Sequence, residues 1–252
     1  MIDARGAPYE QGWEQGRAFE PEICAAVREM RAELGPPRWR RELKRTRRGL
    51  GLAAARFLPQ HHERCSGIAA AAGVPVEAID LLASRRRFGC AARIGGGLLQ
   101  VDVPSPEAER LRLRRSVPDA GGFSSVELTD APWAGSVAGL NGEGIAIACE
   151  RDEPGDAPSV RLLVQELLLR VRDLPSAVEH ARRRGSYLGG RWGLILLDAY
   201  GGAARVVSDG TGIRGEYAPI LSSGRSGQLQ LEPAKGEIVW RPDSGPREST
   251  RV

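Results

Sequence analysis

The stretch "RRRFGCAARIGGGLLQVDVP" (85–104) divides the chain into two kinds of sequence. On its N-terminal side, residues 8–34 place Trp13, Phe19, Ile23, Val27 and Met30 at helical spacing, until Gly35-Pro36-Pro37 interrupts the run. A basic stretch through Arg48, the segment 51–73 and "VPVEAIDLLASRRR" (74–87) continue the helical reading. On its C-terminal side, residues 97–103, 110–117, 123–128, 136–140 and 144–150 are short, β-branched or alternating, and bounded by Gly, Pro and Asp, which predicts strands. Two helices are then expected over 158–174 and 175–185. They are followed by a hairpin over 192–208 turning at Gly201-Gly202, and another over 228–242 turning at Lys235-Gly236. The tail from Asp243 is expected to be loosely held. Strands and helices come in groups, without strict βαβ alternation. That predicts an α+β body with two facing sheets and helices outside, and disfavours a doubly wound fold.

At 252 residues, 41% hydrophobic and 27% charged, the chain can bury a substantial core as one large or two small domains. The net charge of +4 is carried mostly by arginine, in clusters at 38–48, 85–87, 110–115 and 182–184. These are scattered, interleaved with acidic residues and lack aromatics at stacking intervals. They read as solvated faces, and no nucleic-acid partner is expected. No run approaches a membrane span and the N-terminus has no apolar signal core, so a cytoplasmic chain with reduced Cys24, Cys65, Cys90 and Cys149 is expected, with no membrane partner. The cysteine spacings match no zinc pattern, and no metal site is expected. "RIGGGLL" lacks the Lys-Ser/Thr of a phosphate loop and reads as a hairpin turn.

Cys90 opens the strand-rich part directly after a glycine. A cysteine nucleophile ordinarily needs a histidine base, yet the only histidines are His61, His62 and His180, none at a telling spacing. The alternative is a cysteine made N-terminal by chain cleavage, whose own α-amine, with an ordinary pKa of about 8, serves as base. Glycine before the scissile bond permits the close backbone geometry such a cut requires. The bland reading of Cys90 is a small buried strand residue.

Seven ordered stretches resemble the acyl-coenzyme A:isopenicillin N acyltransferase family of N-terminal nucleophile hydrolases. "GAPYEQGWEQGRAF" (6–19) is similar to its N-terminal Gly-x-Pro-Tyr-Glu-x-Gly-x-x-x-Gly element, and 67–87 to the helical Gly-Val-Pro segment before the nucleophile. Residues 88–104 resemble its Gly-Cys-Thr strand and Asn-x-Asp strand; 135–150 its Gly-x-Asn strand pair; 161–183 its paired helices; and 192–208 and 232–246 its later hairpins. The resemblance implies a four-layer αββα sandwich, with a helical N-terminal segment over 1–89 and the sandwich body over 90–252 in one integrated domain. It implies autoproteolysis between Gly89 and Cys90, Cys90 as nucleophile, Asp102 as supporting strand aspartate, and Asn141 as a structural asparagine. The Asn-x-Arg before the nucleophile reads Ala83-Ser84-Arg85 or a close shift of it, which makes Arg86 a candidate supporting residue. The implied partner is a small acyl amide or thioester; no cofactor is implied, acyl-coenzyme A entering only as a substrate class.

The sequence departs from that pattern at further places, three of which bear most directly on the chemistry. Ala91 follows the cysteine where the family has a hydroxyl residue, and Asn-x-Asp reads Gln100-Val101-Asp102. Residues 213–227 contain no His or Asn where the family has His-Thr-Asn-His, whose asparagine donates to the oxyanion; loss of such a donor costs about 100- to 1,000-fold in rate. The alternative expectation is therefore a catalytically impaired relative serving as a binding or assembly module.

Overall fold

A computed structural model describes residues 1–85, 88–103, 110–130, 132–153, 158–188, 190–217, 228–241 and 248–252. The chain opens with a strand, β1 (Ile2–Gly6), which the hydropathy pattern did not announce. Helices α1 (Pro8–Ala18), α2 (Glu20–Leu34), α3 (Pro36–Thr46), α4 (Leu52–Phe57), α5 (Pro59–Ala71) and α6 (Val76–Arg85) follow. The single helix expected over 8–34 is thus two. The chain breaks at Phe19 (φ −124°, ψ 24°) because Pro21 has no N–H for the Arg17 carbonyl and its ring would crowd it.

The buried face of α1 also differs from the expected apolar stripe: it is Gln11, Gly12, Gln15 and Gly16, while Trp13 is 39% exposed. The cause is backbone contact with α5. A Cβ on Gly12 would lie 2.1 Å from the Arg64 carbonyl oxygen, and one on Gly67 would lie 2.1 Å from that of Tyr9. Only glycine admits such an approach.

The strands are β2 (Phe88–Gly89), β3 (Ala91–Gly95), β4 (Leu98–Asp102), β5 (Leu111–Pro118), β6 (Ser125–Asp130), β7 (Ser136–Asn141) and β8 (Ile145–Glu153). After helices α7 (Val160–Arg170) and α8 (Leu174–Gly185) come β9 (Arg191–Asp198), β10 (Ala203–Ser208), β11 (Ile213–Glu216), β12 (Gln228–Glu232), β13 (Glu237–Arg241) and β14 (Glu248–Arg251). Nine of them form a large sheet in the order β1-β5-β6-β7-β8-β9-β10-β11, with β2 added on β8. The other five form a small sheet, β14-β13-β12-β4-β3. The tail is therefore not loose at its end: Glu248–Arg251 pairs antiparallel with β13. Gly96 and Gly97, both at positive φ (59° and 75°), make the two-residue turn between β3 and β4.

The small sheet packs against β7, β8 and β9 of the large one. Its inward residues Leu99, Val101, Leu229, Leu231 and Ile238 share one core with Leu140, Ala148, Ile195 and Leu197. Helices α7 and α8 cover the other face of the large sheet through Leu163, Leu167, Ala177 and Ala181. Ser159 caps α7 by accepting from the Arg161 N–H, and Asp173 caps α8 by accepting from Ser176. Among the described residues no helix packs across the outer face of the small sheet. The N-terminal helices build two further apolar clusters, one of which closes on Trp133, Ala134 and Leu162 of the sheet body. The architecture is mixed α+β with two sheets. Among the described residues no single helix is long and apolar enough to cross a membrane; α5 and α6 pass such a test only together, and they are bent by 114°.

Candidate active site

Strand β8 has two successive partners along one edge. Its first half pairs with β7, from Leu140↔Ala146 to Ala138↔Ala148, and its second half with β2, as Gly89↔Arg151 and Phe88↔Asp152. The Cys90 N–H extends the second ladder by donating to the Glu150 carbonyl at 3.1 Å. The next residue, Ala91, pairs with Asp102 in the small sheet. Cys90 is thus where the chain leaves the large sheet and enters the small one.

The Cys90 side chain is part-buried against the core between the sheets, and its Sγ donates to the Cys149 carbonyl at 2.8 Å. Glu150 is the extra residue of a bulge in the β8–β9 ladder, where Cys149↔Leu194 is followed by Arg151↔Gly193. Its Oε2 accepts from Arg205 Nε at 2.9 Å and Nη2 at 2.6 Å. Burial, then the Glu150 and Asp102 carboxylates, push the Cys90 thiol well above its ordinary range. The group is thus held as a thiol rather than a thiolate, and among the described residues no histidine hydrogen-bonds it.

Asp102 lies on the other face of the small sheet. It is registered with Ala91, one residue out of phase with the inward pair Ala92↔Val101. Its Oδ2 is 3.3 Å from Arg93 Nη1, and Arg93 Nε in turn donates to Gln100 Oε1 at 3.0 Å. Burial raises its pKa, opposed by Arg93 and Gln100, and its Oδ1 has no partner among the described residues. The Asp102 carboxylate is near enough to disfavour ionisation of the Cys90 thiol, but the two side chains do not share a hydrogen bond.

Asn141 ends β7. Its Nδ2 donates to the carbonyls of Leu168 (3.0 Å) and Val171 (2.8 Å), and its Oδ1 accepts from the N–H groups of Glu143 (3.1 Å) and Ile145 (3.0 Å). It ties the β7–β8 turn to the end of α7 and does not reach Cys90. Gly89 is described through its backbone pairing in β2; Arg86 lies outside the described residues, as do residues 218–227. All four cysteines are free, and among the described residues no cluster of His, Cys, Asp and Glu could hold a metal ion.

The arginine clusters are not all solvated faces, as the composition suggested. Arg114, in "RLRLRR", is fully buried, with Nη2 at 2.5 Å from Glu127 Oε2 and Nη1 at 2.5 Å from Gln15 Oε1. Ser136 donates to the same Glu127 oxygen, and Ser125 to the other at 2.7 Å. Burial works against the Glu127 charge, but Arg114, Arg64 and the two serines outweigh it and hold the carboxyl far below its usual range. A second buried pair, Arg161–Asp152 at 2.8 Å, is stacked on the Trp133 ring. Alternation of Arg with Leu in "RLRLRR" is the signal that would have found Arg114: a strand covered on both faces buries residues of both sets.

Comparison with known proteins finds no family model that matches this chain and no curated protein that matches it.

Proposed function

We propose that the chain is a cysteine acyltransferase or amidohydrolase of the N-terminal nucleophile type, activated by its own cleavage between Gly89 and Cys90. The observation that supports this best is Cys90 at the step between two facing sheets, with its N–H and its thiol both held by β8. A cut before Cys90 severs no sheet pairing, since Phe88 and Gly89 pair with β8 on one side of it and Ala91 pairs with β4 on the other. In the proposed maturation Cys90 Sγ adds to the Gly89 carbonyl carbon. The Gly89–Cys90 C–N bond then breaks as a proton passes to the Cys90 nitrogen. Water hydrolyses the resulting thioester, which leaves the Gly89 carboxylate and restores the thiol.

Among the described residues no histidine contacts the thiol of the uncut site, and the cut supplies an amine beside it. A free α-amine at Cys90, with an ordinary pKa of about 8, can take the thiol proton and set a positive charge against the burial and the two carboxylates that hold the thiol neutral. The thiolate then attacks an amide or thioester carbonyl and expels the amine or thiol. The acyl-cysteine passes its acyl group to water or to an amine. Two stacked sheets with α7 and α8 outside correspond to three layers of the αββα sandwich that this reading implies.

A second reading, a non-catalytic binding or assembly module, is favoured by the Asp102 carboxylate being turned to Arg93 and by Ala91 following the cysteine. Intact mass spectrometry of purified protein beside Cys90→Ala separates the two. Fragments ending at Gly89 and beginning at Cys90, absent in the variant, are expected. A single uncut chain that also resists thiol-directed acyl probes would favour the binding module.

A further inference from the structure

A cavity of about 210 Å³ lies away from Cys90, where the N-terminal turns of α1 and α5 meet β5, β6 and α7. Much of its polar lining is buried, with His61, Arg64, Ser116 and Gln165 at 4% exposure, Ser125 at 2% and Glu127 at 1%, while Gln60 is half-buried and the Asp119 carboxylate is exposed. Its apolar lining is small, with Ala7, Pro8, Pro118, Ala120 and Leu169.

The buried charges beside this cavity do not balance, since Arg64 and Arg114 face the single carboxylate of Glu127. Glu127 is in direct contact with Arg114, Ser136 and Ser125, and Arg64 acts on its charge only from beyond ion-pair distance. Arg64 donates from Nη2 to Ser116 Oγ at 3.0 Å, while its Nε has no partner and no carboxylate lies within ion-pair distance of it among the described residues. Gln165 Oε1 likewise lacks a partner. Burial and the neighbouring Arg114 pull the Arg64 guanidinium down to about 9, which still leaves it charged at neutral pH. Burial also brings His61 down to about 4, so the imidazole is neutral and adds no charge of its own. A buried cation with no carboxylate in direct contact is costly. The first turns of α1 and α5 add positive potential at the same place, because helix N-termini leave N–H groups unsatisfied.

We propose that this cavity is a binding site for a small organic carboxylate, with its anionic group on Arg64 and its apolar body against Pro8, Pro118 and Leu169. An inorganic anion of higher charge fits less well, because the Asp119 and Glu127 carboxylates line the same cavity. The site does not depend on cleavage at Gly89, so it stands or falls separately from the activity proposed for Cys90.

The test is thermal unfolding of the full chain titrated with benzoate, benzamide or inorganic phosphate. Benzoate is expected to raise Tm saturably, by roughly 5 °C or more at a hundredfold excess over its Kd, with benzamide and phosphate giving no comparable shift. Arg64→Gln should abolish the response. Ala120→Trp, which adds bulk at an exposed position of the cavity lining without touching the buried cluster, should abolish it too while leaving the unliganded Tm near that of the parent. No response to benzoate, a response to phosphate as large as that to benzoate, or a benzoate response retained in Ala120→Trp would overturn the proposal.

Discussion

Asp80 and His61 show how strongly the interior acts on single groups. Asp80 is 9% exposed in α6, and burial, then the Glu77 charge, raises its pKa to about 7. Its folded pKa lies above the unfolded value of about 3.9. Its contribution to stability is therefore complete below that value and is lost as pH rises through 7. Asp80→Asn is accordingly expected to match the parent near pH 4 and to be more stable at pH 8, by up to about 4 kcal/mol, in urea unfolding at the two pH values. His61 has the opposite sign. Burial lowers it to about 4, below the unfolded value of about 6.5. Its contribution is present above that value and is lost as pH falls toward 4. The expected loss is up to about 3 kcal/mol, which His61→Gln should flatten. Sequence pattern could not show either effect: His61 sits among polar neighbours in "PQHHER", and only the approach of α1 and α7 makes its face an interior one. The GC dipeptide was legible as a candidate nucleophile, whereas the turning of Asp102 onto Arg93 depends on strand phase across a register that the residues alone do not fix.

Among the elements, the most exposed dependence is the junction of β7, β8 and α7 on Asn141. One side chain satisfies two carbonyls at the end of a helix and two N–H groups of a turn. Asn141→Ala leaves all four to find other partners in a site that is 1% exposed, and a loss of about 2–4 kcal/mol is expected from urea midpoints at unchanged m-value. Strands β4 to β10 were readable because alternation, turn glycines and prolines agree with one another. The N-terminal helices were less so. Their contact depends on Gly12, Gly16 and Gly67, residues that hydropathy counts as neutral but which let α1 and α5 touch backbone to backbone. Strand β1 was missed because its one partner is β5, more than a hundred residues away, in the sole parallel pairing among those described.

At the scale of the whole molecule, the helical part before Cys90 is woven into the sheets after it. β1 pairs with β5, Gln15 accepts from the fully buried Arg114, and Gln15 Nε2 reaches the Trp133 carbonyl at 2.5 Å. Residues 1–89 and 90–252 co-expressed as separate chains are therefore expected to co-purify as one particle and to part only in denaturant. The second chain alone is expected to lack a sharp thermal transition. Recovery of a well-folded 90–252 chain by itself would count against this. The same weaving gives the step at Cys90 one more consequence. β2 holds the upper stretch of β8 with two residues only, inside the large sheet rather than at its rim. Its departure after a cut would cost little and would bare a short run of donors and acceptors directly beside the thiol. The leader would then have served as a placeholder, keeping closed the rung on which another extended backbone, carrying its own amide, could be laid.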